Sequence, residues 1–500
     1  MLQNLRLKDV DRRSVQFAAG AIAIALAILF LRHAHPPLFD WPNHMARHFL
    51  ESLALTGKPV PADYAIRYGF IPNLGGDMIV PGLIALFGVE TASKLFLFAS
   101  VMLVWGASAA FTFQYAGRTP AALVAALVPA PFLLTATLFL GFVNSYSGVG
   151  VGILAAVGYI HVARTGASAG RLAALAALSV LTYLWHLAAF GVYAVIVVAY
   201  ACDELLAAPR SRLTETLRAM APRLATVLPG LLVMLWVALT PETNALGGAI
   251  SWSSVRAKLF NFAELFMAYD NRLDALFVLG WIASLVLLFK IAAVRRFDYV
   301  VIAALMFFAL AFILPTDIGL TYFIDKRPIH PLFLCCCALL AGFELRRQAG
   351  IGLALLALVA VARIAYVDFS WARRTQGIEA MLKTFDALPA GRRILVANTN
   401  YGFRRSYEMQ ATSWVVARRG AYVSNLWAVP GQQPLRHRAA SYGLVPTHFL
   451  ADPQVLVKNA AVVPQHFDYV WLNDPTGIVS VPAGWTRVLT TEESSLWKVR

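Results

Sequence analysis

Charged residues are scarce in this chain. Only 14% of its 500 residues are Asp, Glu, Lys or Arg, whereas 59% are hydrophobic and the mean hydropathy is +0.65. A soluble domain carries about 25% charged residues, and one aqueous core could not bury this much apolar surface. The composition therefore excludes a soluble globular enzyme and predicts a membrane protein.

Cysteines are also few, and the sequence lacks the usual cofactor motifs. Three of the four cysteines, Cys335 to Cys337, are consecutive within an apolar run, which fits neither a metal site nor a disulfide framework. The sequence contains no glycine-rich nucleotide loop, no standard metal-ligand spacing and no repeat between its two halves. We interpret the cysteines as core residues and expect no cofactor, although the sequence leaves a divalent metal open.

Long apolar runs are what the chain has in quantity. Most are about 17 to 25 residues long, the length that a helix needs to cross roughly 30 Å of hydrocarbon. The first run follows basic residues, as a signal peptide would, but no small-residue cleavage site precedes His33, so we predict a retained helix. We predict about eleven crossings, near residues 15–32, 92–115, 121–140, 145–163, 172–185, 187–201, 223–240, 275–292, 299–315, 331–344 and 350–368.

The basic residues predict the orientation of these crossings. Lys and Arg concentrate in the cytoplasmic loops of membrane proteins. Basic residues in the short loops between crossings therefore explain the net charge of +15 better than nucleic-acid binding does. The apolar stretch 172–201 lies between two basic loops, so it must cross twice and turn near Tyr183-Leu-Trp-His186. We predict a bacterial inner-membrane protein with a cytoplasmic N-terminus and with residues 33–91, 241–273, 316–330 and 371–500 in the periplasm. The loops that we place in the cytoplasm are basic at Arg118, Arg164 with Arg171, Arg210 to Arg223, Arg295-Arg296 and Arg346-Arg347.

The composition changes after Trp371. Polar residues, proline and glycine become more frequent, and apolar runs shorten to strand length, as at 393–398 and 469–473. We therefore predict two domains, a mainly α, polytopic transmembrane module over residues 1–370 and a small periplasmic α/β domain over residues 371–500.

The long first periplasmic loop holds the densest group of functional side chains. If Pro42 opens a helix, then His44 and Arg47 share one of its faces, and Asp40 lies just outside it. Asp40 is then either a general base for an acceptor hydroxyl or amine, or a helix cap. A third interpretation is a divalent-metal site formed by His33, His35, Asp40, His44 and His48.

Three further positions carry candidate side chains. Asp77 either caps a short interfacial helix or is a second acidic group that faces the cavity. Lys326 and Arg327, with His330 nearby, form an external basic pair that either binds a lipid phosphate or anchors the chain at the interface. His186, at the hairpin turn, and Asn144-Ser-Tyr146 would lie at the same depth, as substrate ligands or as partners of buried backbone groups.

This layout resembles bacterial GT-C glycosyltransferases, the fold class that includes protein O-mannosyltransferases and lipid A aminoarabinose transferases. The resemblance covers most of the chain and lies in the order of one helix, a long loop with an acidic residue, an interfacial helix, many crossings and a C-terminal domain. It implies a polyprenyl-phosphate sugar donor, with Asp40 of Phe39-Asp-Trp-Pro-Asn-His44 as the base. It also implies that Lys326-Arg327-Pro-Ile-His-Pro-Leu-Phe333 helps to hold the donor phosphate.

Three functions follow from this sequence. The first is transfer of a sugar from a polyprenyl-phosphate donor to an envelope glycan, lipid or protein acceptor, with Asp40 as catalytic residue. The residues expected to bind substrate are His44, Arg47, Asp77, His186, Lys326, Arg327 and His330. The alternatives are a transporter or flippase for a lipid-linked glycan and a non-catalytic assembly partner of the same fold.

Overall fold

The computed structural model describes most of the chain. The described residues are 10–240, 249–290, 297–319, 321–398, 408, 410–429, 431–438, 460–474, 477, 479–491 and 494–499. The predicted basic pair Arg295-Arg296 lies outside them.

Helices form most of the structure. The first half of the chain contains α1 Arg12–Arg32, α2 Trp41–Leu55, α3 Val80–Phe87, α4 Val89–Ala116, α5 Pro120–Ala125, α6 Ala136–Phe139, α7 Val143–Thr165, α8 Ala169–Trp185, α9 Leu187–Ala207, α10 Leu213–Leu224 and α11 Leu228–Ala238. The second half contains α12 Val255–Glu264, α13 Asn271–Leu288, α14 Tyr299–Ile313, α15 Ile329–Leu339, α16 Ala349–Ala387, α17 Trp414–Arg419 and α18 Val463–His466. Short 3-10 turns occupy Ala130–Phe132, Arg210–Arg212, Ala225–Val227, Leu340–Gly342 and Ala411–Ser413.

Many of these helices are apolar enough to cross a bilayer. Within the described residues, seven helical segments have the required length and hydropathy: Arg12–Arg32, Val89–Ala116, Val143–Thr165, Leu187–Ala207, Arg210–Ala238, Asn271–Leu288 and Ala349–Ala387. Four shorter apolar segments join them: Pro120–Phe132, Ala169–Trp185, Tyr299–Ile313 and Ile329–Gly342. Each of the eleven predicted crossings overlaps one of these segments. The chain is therefore a multi-pass membrane protein, and the predicted helical bundle is confirmed.

The short hairpin that the charge pattern required is present. Helix α8 ends at Trp185 and α9 begins at Leu187, with His186 between them in an extended conformation. The side chain of His186 accepts a hydrogen bond from the backbone N–H of Ala188, so it caps α9. The turn predicted near Tyr183 to His186 is thus confirmed.

Strands are confined to short pairs and one sheet. The strands are β1 Tyr64–Ile66, β2 Ile250–Ser251, β3 Asp317–Ile318, β4 Arg393–Asn398, β5 Tyr422–Val423, β6 Leu435–His437, β7 Tyr469–Asn473, β8 Thr486–Thr490 and β9 Ser494–Lys498. The sheet has the order β5-β4-β7-β9-β8, in which β4 is parallel to β5 and β7, and β9 is antiparallel to β7 and β8. A small C-terminal α/β domain was predicted, and the sheet confirms that part of the fold class.

The chain forms two compact units. One comprises Met1–Leu29, Phe98–Thr137 and Asn144–Val367, and contains most of the apolar helices. The other comprises Phe30–Leu97, Leu138–Val143 and Asp368–Arg500. In this second unit the first loop packs with the C-terminal segment, because β1 pairs antiparallel with β6 and Asp63 forms an ion pair with Arg393. The domain boundary at residue 370 stays a prediction; helix α16 runs across it.

Candidate functional site

The start of helix α2 is fixed by both local sequence and a neighbouring turn. Pro42 lies in the first helical turn, where its missing N–H costs nothing, as predicted. The backbone N–H of Asp40 donates to the carbonyl of Leu140, 3.1 Å away. Gly141 follows with a φ of +79°, and a Cβ there would lie 2.5 Å from the backbone nitrogens of Asp40 and Trp41. Only glycine allows this close approach.

The Asp40 side chain points away from the helix backbone. It occupies the N-cap position but makes no capping hydrogen bond. Its Oδ1 instead accepts a hydrogen bond from Nδ2 of Asn43 at 3.2 Å, and its Oδ2 lies 3.2 Å from Nε2 of His44. The carboxylate is 16% exposed, whereas the His44 side chain is buried and its Nδ1 has no hydrogen-bond partner. The hydrogen bond from Asn43 therefore orients the candidate base, with the His44 ring beside it.

Asn43 is itself held in one orientation. Its Nδ2 donates to Oε1 of Gln410 as well as to Asp40, and its Oδ1 accepts a hydrogen bond from Oγ of Ser413 at 2.8 Å. All of its polar atoms are thus used, which excludes the flipped amide. We did not predict Asn43, Gln410 or Ser413 as site residues. Asn43 stood inside the Asp-Trp-Pro-Asn-His segment, but the two C-terminal residues carry no sequence signal because more than 360 positions separate them from it.

Arg47 and Asp77 form a buried ion pair instead of a free binding surface. Nε and Nη2 of Arg47 donate to the two Asp77 oxygens at 2.7 and 3.1 Å, and both side chains are almost fully buried. Glu51 and His48 complete the cluster, with His48 Nδ1 at 3.1 Å from Glu51 Oε2. The capping alternative for Asp77 was wrong, because Ile79 occupies the N-cap of α3. A role of Arg47 and Asp77 in substrate binding stays a prediction.

Burial and charge set the ionisation of this cluster. Burial, reinforced by the charge of Asp77, raises the pKa of Glu51 well above its usual value. Burial alone would also raise the pKa of Asp77, but the Arg47 guanidinium outweighs it and holds that pKa far below the usual range. Burial lowers the pKa of His48 well below that of free imidazole. The favoured state is an Asp77 carboxylate paired with Arg47, beside a protonated Glu51 and a neutral His48.

The same cluster is the place where the described residues come closest to a metal site. Ligand atoms of His48, Glu51 and Asp77 all lie within 4.8 Å of one another. A divalent ion there would face Arg47, which already balances the one ionised carboxylate. These residues therefore fit a guanidinium better than a metal.

The five residues of the predicted metal set do not converge. His33 hydrogen-bonds to Asp368 at 2.9 Å, whereas His35 lies 3.4 Å from Glu90. Burial lowers the pKa of His35 to about 4, so this side chain is neutral at physiological pH. A metal site built from His33, His35, Asp40, His44 and His48 was therefore wrong.

In the other unit, Lys326 is already neutralised. Its Nζ forms an ion pair with Glu264 at 2.5 Å and lies 4.5 Å from the centre of the Phe323 ring. The side chain is about one-fifth exposed. Sequence reasoning missed Glu264, which lies 62 residues earlier at the end of α12.

Arg327 contrasts with its neighbour. Its Nη1 lies 3.3 Å from Nε2 of His186 and its Nη2 donates to the carbonyl of Tyr322, while its Nε is buried with no partner. Among the described residues no carboxylate lies within ion-pair distance of it. Burial lowers the pKa of Arg327 to about 10, which leaves the group charged at neutral pH. It is a partly desolvated cation that an anion would stabilise.

His330 lies three residues after Arg327, in the first turn of α15. It is 2% exposed, its ring stacks on that of Tyr146 at 5.4 Å, and neither of its ring nitrogens has a hydrogen-bond partner. The eight predicted site residues thus fall into two groups. Asp40, His44, Arg47 and Asp77 belong to the unit that holds the first loop, and His186, Lys326, Arg327 and His330 belong to the other.

Comparison with solved structures identifies the fold. The crystal structure of ArnT from Cupriavidus metallidurans bound to undecaprenyl phosphate aligns with a TM-score of 0.58, covering 97% of this chain and 98% of that chain. The two sequences are 13% identical over this alignment, so the likeness is one of fold. Neither protein families nor curated proteins provide a match for this sequence. The predicted GT-C-like fold class, a helical membrane bundle with a small C-terminal sheet domain, is confirmed.

Proposed function

We propose that this protein is a glycosyltransferase of the bacterial inner membrane. It moves a sugar from a polyprenyl-phosphate donor to an envelope glycan, lipid or protein on the periplasmic side. The observation that carries the proposal is the fold, because the chain aligns almost end to end with a protein solved bound to undecaprenyl phosphate. Fold alone does not determine activity, so the chemistry is argued from side chains.

Asp40 is the base in this proposal. An acceptor hydroxyl or amine attacks the anomeric carbon, Asp40 removes the acceptor proton, and the bond from that carbon to the phosphate oxygen breaks, with its electron pair leaving on the polyprenyl phosphate. A carboxylate has about four lone-pair sites; Asn43 donates to one of them, and His44 Nε2 lies 3.2 Å from the other oxygen. The remaining sites and the partial exposure leave room for an acceptor proton. The hydrogen bond from its backbone to Leu140 limits its movement.

The leaving phosphate must have its charge compensated. Arg327 supports this role, because it is a partly buried cation without a carboxylate partner among the described residues. Lys326 supports it less, because its charge is already balanced by Glu264. With a lipid phosphate as leaving group, neither a sugar nucleotide nor a metal is required for the step.

Transfer by the purified full-length protein tests the proposal. The assay supplies polyprenyl-phosphate sugars and envelope extract, and compares wild type with Asp40→Asn. We expect Asp40→Asn to lower the turnover rate by about 10²- to 10⁴-fold, the usual contribution of a general base, because the amide cannot take the proton. Asp386→Asn is the matched control, since it makes the same change at a half-exposed carboxylate.

The possible results have distinct meanings. An Asp40→Asn variant that transfers at the wild-type rate would remove Asp40 from the mechanism. An absence of transfer from every donor tried, by a folded wild-type protein, would favour a transporter or a non-catalytic assembly partner. A loss of the same size in Asp386→Asn would mean that general destabilisation, and not chemistry, is being measured.

A further inference from the structure

Helix α12 is amphipathic, but its polar face points into the protein. Lys258 and Asn261 are 3% and 8% exposed. On the opposite face, Val255, Leu259 and Phe260 are 65%, 56% and 52% exposed. A surface helix in water has the reverse arrangement, with its charged residues outside and its apolar residues against the core. The inversion indicates that the surroundings of the outer face are apolar.

Contacts on the inner face fix the rotation of α12. Nζ of Lys258 lies 3.8 Å from Oδ2 of Asp325, and Nδ2 of Asn261 donates to the same oxygen at 3.5 Å. Glu264, at the end of the helix, forms its ion pair with Lys326. All of these residues belong to one compact unit. The polar side chains of the inner face are thus partnered inside the protein, which leaves the apolar face directed outward.

Side chains of the same segment complete the end of the apolar helix α14. Nζ of Lys258 donates to the carbonyls of Phe312 and Leu314 at 2.8 and 2.6 Å. Nε1 of Trp252 donates to the carbonyl between them, that of Ile313, at 3.4 Å. The last carbonyls of a helix have no partner within it, and water normally serves them. Inside a bilayer only protein groups can do so, so this pattern favours a helix end that lies below the membrane surface.

The length of α14 agrees with that depth. Its 15 residues extend about 22 Å at 1.5 Å per residue, whereas the hydrocarbon is roughly 30 Å thick. The Phe262 ring of α12 contacts the rings of Phe308 and Phe312 at 5.7 and 5.8 Å, so α12 lies beside the last turns of α14. Leu305 and Phe308 of α14 are 51% and 46% exposed. The outer face of α12 therefore continues the lipid-facing surface of a crossing helix.

The strand pair next to α12 extends the same apolar surface. Ile250 of β2 pairs with Ile318 of β3, and both side chains are about half exposed. Trp252 follows β2 and is 60% exposed. Tryptophan is enriched where hydrocarbon meets the head groups. Arg256 is the charged residue on the outer face of α12, and its long side chain can keep the guanidinium among the head groups.

We propose that residues 250–264 lie within the bilayer, in the leaflet where α14 ends, with the outer face of α12 against acyl chains. Continuity with the exposed face of α14 identifies lipid, and not a second protein, as what covers this face. The charge pattern of the loops predicts the periplasmic side for 241–273, and the proposal keeps that side but removes this part of the loop from water. It does not depend on the proposed function.

Nitroxide spin labels test the environment of this face. Leu259→Cys and Phe260→Cys are made singly in the full-length protein with its four native cysteines replaced by alanine, and each is labelled in phosphatidylcholine vesicles. Leu305→Cys, on the exposed face of α14, is the reference for hydrocarbon. Val488→Cys is the matched control, since Val488 is also apolar and 43% exposed but lies in strand β8.

Power saturation compares how often each label collides with oxygen and with a nickel chelate. Oxygen dissolves in hydrocarbon, whereas the polar chelate is excluded from it. We expect the oxygen-to-nickel ratio at positions 259 and 260 to exceed that at position 488 by about tenfold and to approach that at position 305. A ratio equal to that at 488 would place α12 in water. Labels that neither reagent reaches would mean that a protein covers the face. Either result would overturn the proposal.

A charge at position 259 provides a second test that needs no label. Aspartate and asparagine have the same shape, so comparing Leu259→Asp with Leu259→Asn isolates the cost of the carboxylate. In lipid we expect Leu259→Asp to unfold at a midpoint about 2 °C or more below Leu259→Asn at pH 8, whereas Val488→Asp and Val488→Asn should agree. Equal midpoints for the two variants at position 259 would contradict contact with acyl chains. Because neither test requires transfer, an inactive protein can still confirm this inference.

Discussion

Glu51 gives the buried cluster of the first loop a measurable pH dependence. Its pKa is raised in the folded state by burial and by Asp77, so the folded protein retains a proton that the unfolded chain releases. The stability that this proton provides is complete below the unfolded pKa of about 4.5 and is lost as the pH rises through the folded value. Asp77 behaves in the opposite way, but its contribution is lost only below pH 3.8.

We therefore expect Glu51→Gln to be more stable than wild type above pH 5, with an advantage that grows as the pH rises. Glutamine retains the size and the hydrogen-bond donor of the protonated acid but has no proton to lose. The difference in unfolding free energy between Glu51→Gln and wild type should change by at most about 1.4 kcal/mol per pH unit, the limit for one titrating group. Unfolding midpoints in detergent between pH 5 and pH 8 measure it.

Comparing Glu51→Gln with wild type isolates the contribution of Glu51 to the pH dependence of stability. His48 has a lowered pKa and contributes a slope of opposite sign below pH 6.5, but both proteins keep it. The control is Glu379→Gln, since Glu379 is exposed on α16. A Glu51→Gln variant that loses stability relative to wild type as the pH rises would mean that Glu51 is ionised in the fold.

The residue scale is also where sequence reasoning was weakest. The position of Pro42 predicted that His44 and Arg47 share a helix face, yet the salt bridge of Arg47 with Asp77 could not be foreseen, because 30 positions that include the rest of α2 and strand β1 separate them. An arginine and an aspartate can form a buried ion pair or can each bind a ligand, and the sequence is the same in both cases. The pairing of Lys326 with Glu264 was missed for the same reason.

At the scale of elements, the start of α2 depends on a turn far away in the sequence. Gly141 has a φ of +79° and its backbone lies against those of Asp40 and Trp41, whereas Gly117 has a φ of +70° but open space around it. Gly117→Ala should therefore cost about 1 kcal/mol of backbone strain. Gly141→Ala should cost on the order of 3 kcal/mol, because two backbone segments must also move apart.

The same pair of variants reports on activity. Because Asp40 is one of the two residues displaced, Gly141→Ala should slow transfer about tenfold at a temperature where it remains folded, the effect of a small misplacement in a catalytic group. Gly117→Ala should transfer at the wild-type rate. Unfolding midpoints and turnover rates measure both effects, and equal losses in the two variants would show that the close approach at Gly141 is unimportant.

Elements built from local pattern were predicted well. The two arms of the α8 and α9 hairpin followed from loops that are basic at both ends, and the strands at 393–398 and 469–473 followed from short apolar runs. The pairing of β1 with β6 was not predictable, because each strand has only three residues and about 370 positions separate them. Strands of three residues are too short to show the alternation of apolar and polar residues by which a strand is recognised in a sequence.

At the scale of the whole molecule, hydropathy determines most of what can be predicted. Every one of the eleven expected crossings overlaps an apolar helix, because lipid requires each spanning segment to satisfy its own backbone hydrogen bonds. Which surfaces pack together is set by side-chain shape instead. The association of the first loop with the C-terminal segment in one compact unit was therefore not foreseen.

Orientation in the membrane is the remaining prediction at this scale. The basic loops place the N-terminus in the cytoplasm and residues 371–500 in the periplasm. Cysteine labelling tests this in a variant whose four native cysteines, Cys202 and Cys335 to Cys337, are replaced by alanine. Single cysteines are then introduced at two exposed positions, Ser211→Cys in a basic loop and Ala483→Cys in the C-terminal segment.

An impermeant maleimide added to spheroplasts should modify the cysteine at position 483 and not the one at position 211, and permeabilised cells should show both. This result follows from the basic residues alone, because Arg210 and Arg212 flank position 211 and are held in the cytoplasm by the membrane potential and the insertion machinery. The opposite pattern would place Asp40 and Arg327 on the cytoplasmic side. Transfer would then have to occur on the cytoplasmic side, and the acceptor would be a cytoplasmic precursor instead of a finished envelope component.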